Sequence, residues 1–278
     1  MCLAMQQYVP LSKRDGKDER DYDVLHEGAP RWMRKQLLEW LNRNLHSSAP
    51  DGHWYEAALN EMELDLKLPI SEGRDLLPAC SDDELLLLNV INWMLEHPEH
   101  RSYEEVVADI LDRGGSAWQV VWADGAARLE RRVVRALSEL AHRVMAVGDV
   151  SGQHLQNAWR EAWGINGSAN EAYDQAVKAV EAALVPLVSP KNGKATLGTI
   201  ILEMTSKPER FKVRLEPRRG ADATRAFIGQ LEVLWQSHRR HGEPNAVVQM
   251  SVDEARDAVS LAAQVVDWIQ RRALVVTQ

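Results

Sequence analysis

Residues 168–187, SANEAYDQAVKAVEAALVPL, decide the fold class. Ser168 and Glu171 have the spacing of a capping box, in which a hydroxyl and a carboxylate each satisfy a backbone N–H left unpaired at a helix start. Behind them Ala172, Tyr173, Ala176, Val180, Ala183 and Leu187 recur at helical steps and form one apolar side. A helix with one apolar side has to bury it against other elements. The neighbouring stretches supply them.

Upstream, Gln153–Trp163 reads as a helix, preceded by a boundary at Gly148–Gly152. Downstream, Ser189–Lys194 is a Pro-Gly loop, and Ala195–Met204 is a short helix. Pro208–Gly220 reads as basic and irregular, carrying Arg210, Lys212, Arg214, Arg218 and Arg219 with Glu209 and Glu216 interleaved. Phe227, Leu231 and Leu234 mark a helix over Thr224–Gln236. Ser251 and Glu254 form another capping-box pair before a last helix, Val252–Arg272, with Val259, Ala262, Val266 and Ile269 inward. The back half, 151–278, therefore reads as a helical bundle.

The front half is also mostly helical. Residues 1–27 are polar and charge-mixed and read as an exposed arm. Pro30 opens a helix to Leu45, with Trp32, Leu37, Trp40, Leu41 and Leu45 near one face. A second helix covers Trp54–Leu66, and Pro69–Pro78 reads as a break. Ser81 is the expected N-cap of a helix to Glu96, since Asp82, Asp83 and Glu84 complement the positive end of the helix dipole. Ser102 and Glu105 suggest a capping box for a helix ending at Gly114-Gly115. Trp118, Val120 and Val121 favour strand, and Asp124-Gly125 is a hairpin turn signal. A helix over Val133–Val147 follows. The expected class is mostly α, with an α-rich domain over 28–150 containing a small β-hairpin, then the bundle over 151–278. No internal repeat of fixed period is evident.

Composition narrows the function classes. The 45% hydrophobic content is enough for a core. Two cysteines, Cys2 and Cys80, are too few for a disulfide framework or a cysteine zinc site, which fits a reducing cytosol. Met1–Pro10 lacks the apolar run of a signal peptide, and no stretch approaches a membrane span. The expected location is cytoplasmic. The net charge of −8 is uneven: residues 151–278 hold 16 Lys+Arg against 14 Asp+Glu, and the front keeps the remaining 17 of 33 basic and 27 of 41 acidic residues. The back half is the better candidate for binding phosphate or nucleic acid.

Chemistry concentrates at Arg239-Arg240-His241-Gly242, between the last two helical patterns. Histidine has the side-chain pKa nearest neutrality, and arginine is a permanent cation shaped for phosphate. One reading is acid–base chemistry on a phosphodiester. The other is a helix end, with His241 on the final carbonyls and Gly242 as a left-handed stop. Lys191, Asn192 and Lys194 form either a phosphate-binding loop with a backbone nest or an ordinary surface loop. Arg214, Arg218 and Arg219 form a candidate track for an RNA backbone. Trp159, Trp163 and Trp235 read as packed within the bundle or across a dimer seam.

Several back-half stretches resemble the abortive-infection C-terminal domain of bacterial phage-defence proteins, a member of the HEPN superfamily of helical bundles. They are Asn170–Tyr173, Ala176–Glu181, Ser189–Lys194 leading into Ala195–Gly198, Leu234-Trp235 and Arg240–Gly242. The resemblance covers roughly Ser151–Ala273. It implies a HEPN-like bundle, often a homodimer, acting on RNA as a metal-independent endoribonuclease toxin, with His241, Arg240 and Arg239 as catalytic residues. It also implies a phage trigger or an antitoxin protein as further partner. The alternative it leaves is a non-catalytic dimerisation or RNA-sensing module. In related domains the arginine lies seven positions before the histidine; here that position is Leu234, followed by Trp235.

Other site types are not expected. His97/His100 and His238/His241 share a three-residue step, but no carboxylate or cysteine set visibly joins either pair, so no metal is expected. Neither a P-loop, a dinucleotide fingerprint nor a nucleophile elbow is present, and no cofactor is expected.

Overall fold

The structure is a computed structural model that describes residues 25–46, 55–69, 73–123, 125–215, 222–236 and 250–277. It is mostly helical with a small β-hairpin, as the sequence indicates, and it holds a second antiparallel pair besides. The chain divides into two compact units, one ending at Arg132 and the other beginning at Val133.

In the first unit, α1 (Arg31–Leu45) buries Met33, Leu37, Trp40, Leu41 and Leu45, while Trp32 is exposed. The Trp40 indole N–H lies 3.1 and 3.0 Å from the Ser102 and Tyr103 carbonyls. α2 (Glu56–Leu66) follows, then α3 (Gly73–Asp82), where the sequence reads a break. Pro78 lies inside α3 and forgoes one helical hydrogen bond. Leu76 and Cys80 are buried one turn apart, and that packing outweighs the loss.

Because α3 runs through Asp82, Ser81 cannot cap the next helix. Asp83 does so instead, accepting from the N–H groups of Leu85 and Leu86 at the start of α4 (Glu84–Glu96). The Ser102/Glu105 box does not form either. Tyr103, at φ 59°, flanks α5 (Glu104–Gly114) with no side-chain cap, and the Ser102 N–H donates to Asn44 of α1. The hairpin is present, with β1 (Trp118–Ala123) paired antiparallel to β2 (Ala126–Arg131) and Gly125 at φ 83° in the turn. The buried Asn92 side chain of α4 accepts from the Leu129 N–H at 2.7 Å, fixing the hairpin on the core.

The second unit begins earlier than the glycines at 148–152 suggest. α6 (Arg135–Met145) packs against α7 (Val150–Trp163) and α11 (Val252–Gln270), and its Arg143 pairs with the buried Asp267 of α11 at 3.1 Å. The connection between α6 and α7 is only residues 146–149: Asp149 caps α7 by accepting from Gly152 N at 2.7 Å. The central element is α8 (Ala169–Val188), flanked by α7 and α11. Buried alanines recur on all three: Ala158 and Ala162 on α7, Ala172, Ala176 and Ala179 on α8, Ala255, Ala262 and Ala263 on α11. Small side chains let these helices approach closely. Trp159 and Trp163 are 3% and 4% exposed with ring centroids 4.0 Å apart, so they belong to this unit's own core.

α9 (Leu197–Ser206) and α10 (Ala223–Gln236) complete the bundle. The stretch read as irregular contains β3 (Phe211–Val213), paired antiparallel with β4 (Leu274–Val276). Phe211 and Val213 face inward and Lys212 outward, a strand alternation too short to stand out among its charges. The Ser168 cap and the full Ser251/Glu254 capping box are both present.

Candidate functional site

The proposed catalytic residues Arg239, Arg240 and His241 lie outside the described residues, as do Arg218, Arg219 and His238. What the structure describes is the frame from which their segment departs and to which it returns.

The departure is α10. In its last described turn the Leu234 carbonyl accepts from the buried Tyr173 hydroxyl of α8. The return is at Met250, whose N–H donates to the Asn170 side chain, also on α8, at 3.1 Å. Asn170 and Tyr173 are three residues apart, adjacent on one helix face. A single turn of α8 therefore holds both ends of the segment carrying Arg239–His241.

The lysine loop meets the same frame. Ser189 donates to Glu203 of α9 at its start, and Glu181 of α8 accepts from the Leu197 N–H at 2.7 Å at its end. A carboxylate there also complements the positive end of α9. Thr196 caps α9 by accepting from Thr199 N. Gly198, in the first turn of α9, lies against the indole of Trp235: a Cβ built on it would sit 2.8 Å from the ring. Lys194 is four residues before Gly198, and Arg239 is four residues after Trp235. The lysine loop thus runs into the bundle beside the last described turn of α10.

Within the loop, Lys191, Asn192 and Lys194 are exposed. Asn192 N donates to Ser189 O at 2.9 Å, Ala195 N to Asn192 O at 3.0 Å, and Lys194 N to the Asn192 side chain at 3.3 Å. Within 191–194 the N–H groups of Asn192 and Lys194 are thus engaged in the loop's own bonds, while the Lys191 and Lys194 side chains are exposed. Arg214 departs further from its sequence reading. Its Nη2 donates to the carbonyls of Arg271 and Arg272 at 2.6 and 2.8 Å, so the guanidinium caps the end of α11.

The Glu203 carboxyl is held below its ordinary value, chiefly by the Ser189 hydroxyl and next by Arg210, whose Nη1 is 3.0 Å away. It is therefore ionised at neutral pH and anchors the loop start. Neither Glu181 nor Glu203 is distinguishable in sequence from a surface glutamate, because each acts through a loop folded back upon it.

No family model matches the chain, no curated protein matches it, and no solved structure matches it.

Proposed function

We propose that the second unit is a HEPN-like effector of antiviral abortive infection that cleaves RNA without a metal. Its catalytic residues are His241, Arg240 and Arg239, and the acting form is a homodimer. The supporting observation is the shared anchorage: one turn of α8 holds Leu234 and Met250, which flank the Arg239–His241 segment in the chain, and Trp235 packs against Gly198 just past the exposed lysine loop.

In this reading Lys191 and Lys194 attract the RNA backbone. His241 takes the proton from a 2′-hydroxyl as the oxygen attacks the adjacent phosphorus, or delivers a proton to the departing 5′-oxygen. Arg239 and Arg240 stabilise the charge developing on the phosphate. The test is cleavage of single-stranded RNA by the full chain in excess chelator. Wild type yields fragments with 2′,3′-cyclic phosphate ends and arrests growth when expressed, and a folded His241→Ala variant does neither. Intact RNA with the wild-type chain would overturn the proposal.

A second reading is a non-catalytic dimerisation or RNA-sensing module in a defence or regulatory system. It is favoured by the roles of Asn170, Tyr173, Glu181, Gly198 and Trp235, whose described contacts tie bundle elements together. Sedimentation showing a dimer, together with intact RNA, would select it.

A further inference from the structure

The first unit holds a side-chain cluster on which the RNA reading does not depend. Glu61 and Asp65 lie one turn apart on α2. Trp93, in the last turns of α4, donates its indole N–H to Asp65 Oδ2 at 2.8 Å. His97 ends α4 and stacks on Trp93, with ring centroids 4.0 Å apart. Pro98 then opens a single 3-10 turn, Pro98–His100, which folds His100 back until its ring is 5.7 Å from that of Trp93 and nearly parallel to it.

Both imidazoles face carboxylates. His100 Nε2 is 3.0 Å from Glu61 Oε2, and His97 Nε2 is 4.0 Å from Asp65 Oδ2. His97 Nδ1 is 2.8 Å from the Trp93 carbonyl, which can only accept, so Nδ1 carries the proton. Neutral His97 therefore keeps its lone pair on Nε2, toward Asp65. Glu99, exposed on the 3-10 turn, completes the group: Glu61, Glu99 and His100 each offer a ligand atom, all within 4.8 Å of one another.

We propose that Glu61, Glu99 and His100 bind a divalent transition-metal ion of the zinc class, with Asp65 and His97 beside them. Zinc–nitrogen and zinc–oxygen bonds of about 2.0–2.2 Å set neighbouring donors of a tetrahedron roughly 3.3 Å apart. His100 Nε2 and Glu61 Oε2, 3.0 Å apart in a hydrogen bond, need part by only roughly a few tenths of an ångström to reach that spacing when the ion replaces the shared proton. Two carboxylates and a neutral imidazole carry the charge that balances a dication. The imidazole selects the zinc class over calcium and magnesium, which take oxygen donors. Solvent reaches the cluster and supplies the fourth ligand. The bound ion ties α2 to the turn after α4 and stabilises the folded state by mass action.

These carboxylates are not visible beside His97/His100 in the sequence because Glu61 is 39 residues from His100, and the 3-10 turn that gathers the ligands opens at Pro98.

The test is titration of the chelator-stripped full chain with Zn²⁺ and with Co²⁺. Binding is read by calorimetry, cobalt visible absorption and the thermal midpoint. The expected result is saturable uptake that raises the midpoint and is weakened roughly tenfold or more by Glu99→Gln and by His100→Ala. Glu99→Gln keeps the side chain's shape at an exposed position, so it decides the matter if His100→Ala fails to fold. No saturable uptake by wild type, or uptake unchanged in folded Glu99→Gln, overturns the site. Uptake that survives in both variants assigns the metal to histidines elsewhere and overturns it equally.

Discussion

The Tyr173 hydroxyl donates to the carbonyl of Leu234, joining the first turns of α8 to the last turn of α10. Both groups are buried. Tyr173→Phe keeps the ring and removes the donor. Losing this hydrogen bond is expected to cost about 0.5–1.5 kcal/mol, read by urea unfolding. If the Arg239–His241 segment is the working site, RNA cleavage falls with the anchor. Unchanged stability would mean that solvent replaces the hydroxyl.

Gly198→Ala tests the contact with Trp235. The new methyl would stand 2.8 Å from the indole, so the ring must move. Overpacking of this kind costs about 1–3 kcal/mol, against roughly 1 kcal/mol gained from alanine's helix propensity. A lower thermal midpoint is expected, and a rise would show that Trp235 yields freely.

Acid should loosen the lysine loop through Glu203. Its folded pKa lies below the ordinary 4.5, so its contribution is complete above about pH 4.5 and is lost as the pH falls through the folded value. Unfolding measured from pH 6 to 3 should show a steeper acid loss for wild type than for Glu203→Gln. Parallel curves would remove Glu203 from the account.

Burial, and secondarily the charge of Asp83, pushes the Cys80 thiol up to about 12. The thiolate is the reactive form. In a Cys2→Ser chain, a disulfide reagent at pH 8 should find no thiol until denaturant is added. Prompt native labelling would show that α3 opens readily.

Asp267 is 3% exposed and receives Arg143 at 3.1 Å and Arg271 at 2.9 Å. Asp267→Asn removes the charge that both cations share. Hydrogen bonds to charged groups contribute about 1.5–3 kcal/mol, and the lower end is expected because both arginines re-enter water readily. Equilibrium unfolding measures it, and a neutral substitution would show the pairs to be energetically idle.

Elements whose signals lie within a few residues were legible in sequence. The caps at Ser168 and Ser251, the apolar stripe on α8, and the hairpin around Gly125 depend on neighbours two to four positions away. They fixed the mostly helical class and the small β-hairpin. Signals that depend on a distant partner were not legible. β3 requires β4, the role of Arg214 requires the end of α11, and the N–H of Ser102 is taken by Asn44, 58 residues away. The same division holds for the sites. Sequence could nominate Arg239, Arg240, His241 and the lysines by chemical type. Only the fold could tie both ends of the first segment to Asn170 and Tyr173, or bring Glu61 to His100, because such neighbours are created by packing of apolar helix faces and leave no periodic trace in the chain.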